Sequence, residues 1–566
     1  MEKRTLAAIA LSVMVLFAFR YVEERRTKEI ARNRPPISKQ AIAPTPVAPA
    51  SAPAPAAEAS AEKLQTPVMV LPADTHAVER PVLLEGELYQ ANIDNRGGVL
   101  SSWRLNKHRT GKNSQFEMIA ATHFAETRPF PGALIFDDPA LVSLANGEFY
   151  EVEIDSFAAG AMPIKPPAKV TLTLRRGGFR VVKVYNFHKD NYLVDLSVSV
   201  EREGRPLTGR ILLGQDIGPE YEHLLNPSVQ ISTVYNVDGK VKREAPPKEE
   251  NQLRRIDGSM RWVGLDMHYF AIIAIPHLSL PEFEFQKRSV KTLGLDQKEV
   301  NRDLVRLTLP NPGFVQYELY LGPKAQTFLD SVKGVDLSGV IDYGMFWFLV
   351  RPLLAALKWI NTYAHNYGVS IILLTLLLTL LLFPFRLKQM LSMKKMQVVQ
   401  PKVKEIQERY KKYKKTDPKR AQMNQEVMAL YKEHDVNPLG GCLPLILQMP
   451  LLFAFYQLLA ASIELRQAPF FGWLQDLSQK DPYYILPIIM GVTMLISQKM
   501  TPMAPGADAT QAKMMMIMPA VFTLMFLNVS SGLNLYFLCS NIFQIGFQKI
   551  AERWVGDSKS AVKSRG

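Results

Sequence analysis

Cysteine is nearly absent from this chain of 566 residues: Cys442 and Cys539 are the only two, and each lies in a long apolar run. Two thiols cannot supply a disulfide framework or a four-cysteine zinc ribbon, and this spacing is not that of a redox pair. The chain also lacks a Walker phosphate loop, G-x-G-x-x-G, H-E-x-x-H and G-x-S-x-G. We therefore expect no catalytic residue, no metal site and no cofactor.

Formal charge is missing from five apolar runs in the C-terminal half, at 368–385, 442–463, 483–498, 514–528 and 533–548. The first run has 18 residues, enough to cross a bilayer as a helix. A proton-coupled carrier usually needs ionisable side chains within the bilayer. Because these runs hold no Asp, Glu, Lys, Arg or His, that class is disfavoured and a passive polar groove is favoured.

The N-terminal segment predicts a membrane anchor followed by a spacer. An apolar run at 5–19 ends at Arg20, and no small-residue cleavage motif follows. Residues 1–22 therefore predict an uncleaved transmembrane anchor, with a cleaved signal peptide as the alternative. Residues 23–67 predict an extended periplasmic linker, because 18 of the 33 residues at 35–67 are Pro or Ala.

Alternation of apolar and polar residues predicts a β-domain at 68–330. Turn signals occur at 95–98, 177–178 and 188–191, and the last two separate three strands within 170–200. This pattern favours a large β-sandwich outside the membrane. Three titratable residues of the region lack a catalytic spacing and are assigned surface or packing roles: His268, Asp266 and Glu282.

Lysine and arginine counts orient the spans. The loop at 386–435 carries 14 Lys and Arg, against two between positions 463 and 482, and the tail from 549 carries five. By the positive-inside rule both basic segments are cytoplasmic, and six spans then place both termini inside and the β-domain outside. The six Lys and Arg at 20–34 favour the opposite insertion of the first span. We assign the orientation of the chain from the later spans instead.

These features predict an α-helical polytopic membrane protein with six transmembrane helices, a five-helix core and a large extracytoplasmic all-β sandwich domain. An interfacial amphipathic helix is predicted within 331–367, with a buried soluble helix as the alternative. It leads into the core at 368–550, and 551–566 is predicted as a basic cytoplasmic tail.

The basic loop 386–435 predicts a helical hairpin, with helices at about 387–413 and 419–434 and a break at Asp417-Pro418. Its charge suits an anionic lipid surface or a ribosome with its nascent chain, and charge alone does not separate these interpretations. Methionine is concentrated between positions 390 and 525, which suits varied apolar clients or ordinary packing against lipid. The predicted client or ribosome contacts are Met390, Met393, Met396, Lys411, Lys412, Lys414, Lys415, Met514, Met515 and Met516.

Polar side chains within the apolar runs are the main candidates for a site. In the last run Asn534, Asn541 and Gln548 recur every seven residues, which places them on one helix face. The bilayer penalises unpaired amides, so these residues either hydrogen-bond between helices or line a hydrated groove. The predicted groove residues are Thr375, Thr379, Gln448, Asn528, Asn534, Tyr536, Asn541, Gln544 and Gln548.

Five ordered segments carry a family resemblance. They are NPLGGCLPLILQMPLLFAFYQLL at 437–459, ELRQAPFFGWLQDLS at 464–478, DPYYILPIIMGV at 481–492, SGLNLYFLCSN at 531–541 and, in the β-region, RWVGLDMHYFAIIAIP at 261–276. Together with the anchor and spacer, these segments closely resemble the Gram-negative type of the YidC/Oxa/Alb family of membrane protein insertases. The resemblance covers essentially the whole chain.

The resemblance implies a bacterial inner-membrane protein with a periplasmic β-supersandwich and five core helices. These helices surround a hydrophilic groove that is open to the cytoplasm and lipid and sealed toward the periplasm. It further implies an insertase and chaperone for nascent inner-membrane proteins, working alone or with the Sec translocon and its accessory subunits. Its clients are ribosome-bound and its bilayer contains anionic lipids; no nucleotide or specific nucleic-acid sequence is required.

Three positions depart from the family pattern. Thr379 occupies the place of a positively charged groove residue, Phe383 that of a tyrosine and Asn528 that of a tryptophan, while Arg386 lies near the cytoplasmic interface. We therefore expect a neutral, hydrogen-bonding groove. Two other functions remain as alternatives: a membrane-anchored periplasmic glycan-binding or sugar-processing protein, and a passive solute channel.

Overall fold

The computed structural model describes residues 77–110, 114–119, 130–156, 163–218, 231–293, 299–411, 413, 417–434, 443–500 and 509–563. The predicted anchor, the linker and the lysines at 412, 414 and 415 lie outside these residues. The described chain divides into two compact units. One contains 394–411 and 417–434 with the helical residues 509–521, and the other contains the β-domain and the remaining helices.

In the described residues, the β-domain contains two antiparallel sheets. The smaller sheet has the order β1-β2-β3-β4, with strands β1 Val82–Glu85, β2 Tyr89–Asp94, β3 Val99–Arg109 and β4 Gln115–Glu117. The larger sheet has fourteen strands in the order β5-β11-β17-β16-β14-β15-β18-β9-β8-β7-β6, with β10 beside β9 and the β12–β13 pair beside β14. Its strands are β5 Leu134–Ile135, β6 Glu151–Ser156, β7 Ala168–Arg176, β8 Phe179–Phe187, β9 Leu193–Arg202, β10 Arg205–Pro206, β11 Gly209–Gly214, β12 Ser232–Val237, β13 Lys240–Glu244, β14 Leu253–Met267, β15 Phe270–Pro276, β16 Leu280–Leu293, β17 Glu299–Asn311 and β18 Phe314–Pro323.

The hairpins fall where the turn signals predict them. Gly177 and Gly178 join β7 to β8 with φ angles of 50° and 77°, a left-handed conformation that glycine adopts without steric cost. The signal at 95–98 joins β2 to β3, and the one at 188–191 joins β8 to β9. Alternation of buried and exposed residues along these strands confirms the predicted period of two.

Aromatic side chains from both sheets share one core. The ring of Tyr89 in β2 stacks on Trp103 in β3 at 4.0 Å, and Trp103 lies 6.3 Å from Phe187 in β8. All three are buried, and burying a large apolar side chain contributes about 1.5–3 kcal/mol. Lys183 of β8 also points into this core, where its Nζ donates to the carbonyl oxygens of Gly97 (2.6 Å) and Gly132 (2.7 Å).

The three titratable residues assigned to packing or the surface have separate partners. Asp266 accepts from Arg243 (3.0 Å) and Lys324 (2.6 Å), and Glu282 forms an ion pair with Arg210 (3.0 Å). His268 instead donates to the carbonyl oxygen of Ala460, outside the β-domain (2.8 Å). These contacts are structural, as the sequence predicts.

The helical region follows the β-domain. Its helices, with the two that belong to the β-region, are α1 Pro139–Gly147, α2 Gln326–Leu329, α3 Trp347–Ala364, α4 Tyr367–Arg409, α5 Pro418–Glu433, α6 Leu443–Ala461, α7 Ile485–Met500, α8 Ala509–Phe526 and α9 Ser531–Lys563. Two short 3₁₀ helices are η1 Ser338–Val340 and η2 Ile463–Leu465.

Helix α3 has the amphipathic pattern that the sequence predicts. One face is buried through Val350, Leu353 and Leu357, which are spaced by three and four residues, while Trp347 and Trp359 of the other face are more than half exposed. The helix ends where the next residue takes a left-handed conformation with φ of 50°. Exposed tryptophans suit the interface between water and lipid.

Among the described residues, one helix is both long and apolar enough to cross a membrane. It is the first part of α4, Tyr367–Leu387, with 21 residues and a mean hydropathy of 2.5. Three shorter apolar helices lie at Met449–Ala461, Ile485–Met500 and Met516–Phe526. The structure thus contains a β-rich domain and a helical C-terminal region, whereas the total of six spans stays a prediction.

Candidate functional site

Three amide side chains recur every seven residues along α9: Asn534, Asn541 and Gln548. Seven residues are nearly two turns, so the three lie on one side of the helix with a drift of about 20° per repeat. They span about 21 Å along its axis. Gln544 lies close to the same side, and we call these four residues the amide stripe.

The Asn534 end of the amide stripe is occupied by the turn between α8 and α9. Asn534 is fully buried, and its Nδ2 donates to the carbonyl oxygens of Phe526 (3.2 Å), Val529 (3.2 Å) and Ser530 (3.4 Å). These bonds satisfy carbonyls at the end of α8. Asn534 therefore holds the turn, which is the hydrogen-bonding alternative to a groove role.

Backbone hydrogen bonds join this turn to the loop between α6 and α7. The N–H of Ser531 donates to the carbonyl of Gln479 (2.6 Å), and the N–H of Gly532 donates to that of Leu477 (2.9 Å). We call this end of the stripe the closed end.

Asp481 anchors the loop at the closed end. One carboxylate oxygen accepts from Trp473 Nε1 (3.0 Å) and the N–H of Tyr483 (3.0 Å), and the other accepts from the N–H of Leu486 (2.7 Å). The side chain is almost completely buried and caps the start of α7. Asp481 is not among the predicted site residues, although an Asp-Pro pair before an apolar run is a recognised signal for a helix start.

The two threonines of α4 turn their hydroxyls onto their own helix. Thr375 Oγ1 donates to the carbonyl of Ile371 (2.6 Å), and Thr379 Oγ1 donates to that of Thr375 (2.7 Å). Their exposed fractions are 1% and 4%. A hydroxyl bonded in this way is satisfied without water, so both residues pack in the helical core of the described structure.

Tyr536 follows the closed end in α9, and Asn528 belongs to the turn before α9. Tyr536 is buried and stacks on Phe455 of α6, with ring centroids 4.0 Å apart. Asn528 is exposed in the turn before α9. Gln448 belongs to α6, and its side chain lies outside the described residues.

The other end of the amide stripe, which we call the distal end, carries a positive charge. Arg386 Nη1 of α4 donates to Gln544 Oε1 at 3.4 Å, and Gln548 Nε2 donates to the carbonyl of Met500 in α7 (2.8 Å). Asn541, Gln544 and Gln548 are each partly exposed, unlike Asn534. The structure thus brings Arg386 to the stripe, although its position near the interface argued against such a role.

Residues 394–411 and 417–434 form a helical hairpin with a small apolar seam. Val399, Val403 and Ile406 of α4 are buried, as is Tyr431 of α5. Tyr410 Oη donates to Glu426 Oε1 across the pair of helices (2.6 Å).

The hairpin turn also follows the sequence pattern. The Asp417 side chain accepts from the N–H of Lys419 (2.9 Å), and Pro418 is the first residue of α5. Both features confirm the predicted break.

Several predicted contact residues can be placed only in part. Lys411 is exposed just after α4, and Met516 of α8 is 66% exposed. The remaining methionines belong to helices, but their side chains lie outside the described residues: Met390, Met393, Met396, Met514 and Met515. Within the described ranges, no group of three or more His, Cys, Asp or Glu is placed to hold a metal ion.

The fold and the stripe define an integral membrane protein with an attached β-domain. Residues 359–558 match the family model described as "60Kd inner membrane protein", and residues 82–356 match "YidC periplasmic domain". A "Membrane protein insertase YidC" from Syntrophus aciditrophicus (strain SB) is 35% identical over 97% of this chain and 99% of its own length. The chain therefore belongs to the YidC family of membrane protein insertases.

A second sequence relative agrees with this assignment. The insertase YidC of Citrifermentans bemidjiense is 36% identical over 98% of this chain and 100% of its own length. A solved structure titled "Crystal structure of YidC from Thermotoga maritima" covers 82% of this chain and 98% of its own at 11% identity, with a TM-score of 0.30. The identification rests on the sequence relatives.

Family membership confirms the predicted function. The chain is a membrane protein insertase rather than an enzyme; the family acts on nascent membrane proteins in the lipid bilayer and belongs to the inner membrane with a periplasmic domain. The glycan-binding and solute-channel alternatives receive no support.

Proposed function

We propose that polar client segments enter at the distal end of the amide stripe and stop at the closed end. The supporting observation is a gradient of exposure along α9: Asn534 is fully buried, whereas Asn541, Gln544 and Gln548 are partly exposed. A client that enters at the distal end meets amide donors and acceptors before it meets the buried turn.

The amide stripe lowers the cost of moving polar backbone into the bilayer. An unpaired peptide group in an apolar medium costs several kcal/mol, and Asn541 and Gln544 can each offer a donor and an acceptor. The apolar helix of the client leaves sideways into lipid, and its transfer from water supplies the driving force. The exposed leucines of α4 provide an apolar surface for that step: Leu373, Leu377, Leu380 and Leu381.

Arg386 gives the distal end a preference for acidic client tails. Its guanidinium lies 3.4 Å from the Gln544 amide oxygen and is in reach of a segment passing along the stripe. A charge-assisted bond is about twice as strong as a neutral one. We therefore propose a groove that is positively charged at its entry, whereas the neutral residue at Thr379 predicts an uncharged one.

The test is insertion of a single-span client with a polar translocated tail by the purified protein in proteoliposomes. Asn541→Leu with Gln544→Leu should slow insertion about ten-fold, equivalent to roughly 1.4 kcal/mol of barrier. Arg386→Gln should slow a client with an acidic tail more than one with a neutral tail.

Gln479→Leu is the matched control, because it removes an exposed amide from the loop between α6 and α7, off the stripe and outside the predicted groove residues. It should leave insertion unchanged. Normal insertion of the polar-tailed client by a stably folded double variant would remove the groove assignment.

We propose six spans with both termini in the cytoplasm. The anchor at 1–22 supplies the first span, and α4, α6, α7, α8 and α9 supply the others. The support is the basic loop at 386–435 and the basic tail, which the positive-inside rule places in the cytoplasm.

We propose that the hairpin of α4 and α5 receives ribosome-bound clients, and that the protein also cooperates with the Sec translocon. Lys411, just after α4, is exposed and can reach a partner, and the basic residues of the loop at 386–435 give this part of the chain its positive charge. Phosphate-rich RNA and anionic lipid both attract such a surface. The ribosome is the partner we favour, and anionic lipid is a second one.

Changing Lys411, Lys412, Lys414 and Lys415 together to Gln should lower ribosome cosedimentation about ten-fold at low salt, because removing each lysine–phosphate interaction weakens binding. The same four positions changed to Arg keep the charge and should cosediment normally. Unchanged cosedimentation of the Gln variant, together with abolished binding to anionic vesicles, would leave lipid as the partner.

A further inference from the structure

The segment 460–468 runs from the last turn of α6 into the loop before α7, and it is held against the β-domain. Arg466 Nη2 donates to the carbonyl oxygen of Arg109 at the end of β3 (2.7 Å). Gln467 Nε2 donates to that same oxygen, and Gln467 Oε1 accepts from the N–H of Arg109 (3.1 Å). Both main-chain polar groups of Arg109, its N–H and its C=O, are therefore bound by side chains that come from the helical region.

The backbone at Gln467 adopts the conformation that this contact needs. Its φ angle is 59°, in the left-handed region that residues with a Cβ rarely adopt. Strained residues of this kind persist where the surrounding contacts hold them. Here the two hydrogen bonds to Arg109 are the contacts that hold Gln467.

Arg466 also packs against two phenylalanines of the β-domain. Its Cζ lies 5.2 Å from the ring centre of Phe116 and 5.3 Å from that of Phe270, and these rings stack at 4.0 Å. Nearly equal distances to two stacked rings place the guanidinium beside the pair rather than centred on one face. Packing and the bond to Arg109 therefore contribute more than cation–π attraction.

Two further contacts fix the same segment. His268 Nε2 of the β-domain donates to the carbonyl of Ala460 in the last turn of α6 (2.8 Å), which satisfies one of the free carbonyls at that helix end. Lys358 of α3 forms an ion pair with Glu464 of η2 (2.5 Å). The C-terminal end of α6 is thus attached to both the β-domain and α3.

Helix α6 connects this attachment to the amide stripe. Phe455 of α6 is completely buried and stacks on Tyr536 of α9, between Asn534 and Asn541. A displacement of α6 therefore moves a side chain that packs against the stripe-bearing helix.

We propose that Arg466 is a positioning residue for membrane insertion: by fixing the end of α6 to the β-domain, it sets the position of α6 against α9. The β-domain then acts as a brace for the helical core. This inference does not depend on how clients use the amide stripe.

The test measures the distance between α6 and α9 in the full chain in proteoliposomes. Spin labels replace Tyr456 and Ile542, which are exposed on these helices, in a background with Cys442→Ser and Cys539→Ala. Arg466→Ala should widen the distance distribution at least two-fold and slow client insertion about ten-fold. Arg466→Lys keeps the charge and one donor and should recover part of both.

Two other variants complete the design. Lys480→Ala removes an exposed positive charge from the same loop and should change neither measurement. Gln467→Ala leaves Arg466 in place, removes the paired bonds to Arg109 and should widen the distribution even if Arg466→Ala does not fold.

Unchanged distances in Arg466→Ala and Gln467→Ala would overturn the proposal, as would slow insertion with unchanged distances. The stripe variants at Asn541 and Gln544 should slow insertion without widening the distribution. A failure of the groove assignment is thereby distinguished from a failure of the brace.

Discussion

Asp481 holds the loop of the closed end through a buried carboxylate. Its two carboxylate oxygens accept three hydrogen bonds, one from an indole and two from the backbone of the turn that starts α7. A buried carboxylate with three donors is satisfied without a cation, and each such bond is stronger than a neutral one. The residue thus joins a side chain of the loop to the first turn of α7.

Replacing Asp481 by Asn should open the closed end. An amide can accept through one oxygen only, and its NH₂ group would face the N–H of Leu486 or the indole of Trp473. We expect a loss of about 1–3 kcal/mol in the free energy of unfolding, the usual cost of an unsatisfied buried donor. Chemical denaturation measures this loss, with Asp476→Asn on the same loop as the control.

Buried polar residues are the part of the structure that sequence patterns predict least well. Lys183 occupies a core-facing position of β8, where alternation predicts an apolar side chain, because two glycine carbonyls of other segments accept from it. Asn534 lies in the predicted polar stripe but serves the turn. In both cases the partners are backbone carbonyls, which lie far away in the sequence for Lys183 and nearby for Asn534. The amino-acid composition does not reveal such partners.

At the scale of elements, two histidines flank the contact between the β-domain and the segment 460–468. Burial lowers the pKa of His108 to about 4, with smaller contributions from Arg466 and Lys107. Burial likewise lowers the pKa of His268 to about 4; Lys324 and Arg466 lower it further, while the bond to Ala460 and nearby Asp266 act in the opposite direction. Both imidazoles are therefore neutral in the packed state at neutral pH.

Acid should weaken this contact. The released histidines bind protons at the ordinary pKa near 6.5, whereas the packed ones resist protonation down to about pH 4. Stability from this source is fully present above pH 6.5 and is lost as the pH falls toward 4.

Thermal unfolding from pH 7.5 to 4.5 measures the effect as a falling Tm. In His268→Gln, Tm should fall less steeply with decreasing pH than in the unchanged protein. His277→Gln, at an exposed position, should leave the dependence of Tm on pH unchanged. The same dependence of Tm on pH in the unchanged protein and in both variants would contradict this assignment.

Local elements follow from the sequence, whereas their partners do not. Turn glycines and the Asp417-Pro418 break define the β7–β8 hairpin and the start of α5, because these signals act within a few residues. The pairing of β18 with β9 and β15 joins strands far apart in the chain and depends on the whole core. Helix α4 also continues through Pro384, so its membrane segment and the first hairpin helix are one helix of 43 residues.

At the scale of the whole molecule, the membrane topology is the main prediction that stays open. Phe471, between α6 and α7, is 74% exposed, and Leu278 of the β-domain is 84% exposed. Six spans place both residues outside the cytoplasm and Lys411 inside it. The charge pattern therefore makes a separate prediction for each of these positions.

Single cysteines at these positions, with Cys442→Ser and Cys539→Ala, test the topology. A membrane-impermeant maleimide should label Phe471→Cys and Leu278→Cys in intact spheroplasts, and should label Lys411→Cys only after lysis. Labelling of Lys411→Cys before lysis would reverse the proposed orientation.

The closed end consists largely of main-chain contacts, and this determines which mutations it tolerates. Ser531 and Gly532 donate their N–H groups to Gln479 and Leu477, and Lys480 pairs with Ser530 in the same way. Any amino acid except proline supplies the same N–H and C=O groups. Point substitutions of Gln479 and Lys480, whose side chains are exposed, should therefore be largely silent, whereas inserting or deleting one residue shifts every pair at once. The main-chain pairing thus constrains the length of this loop more strictly than the side chains at these two positions.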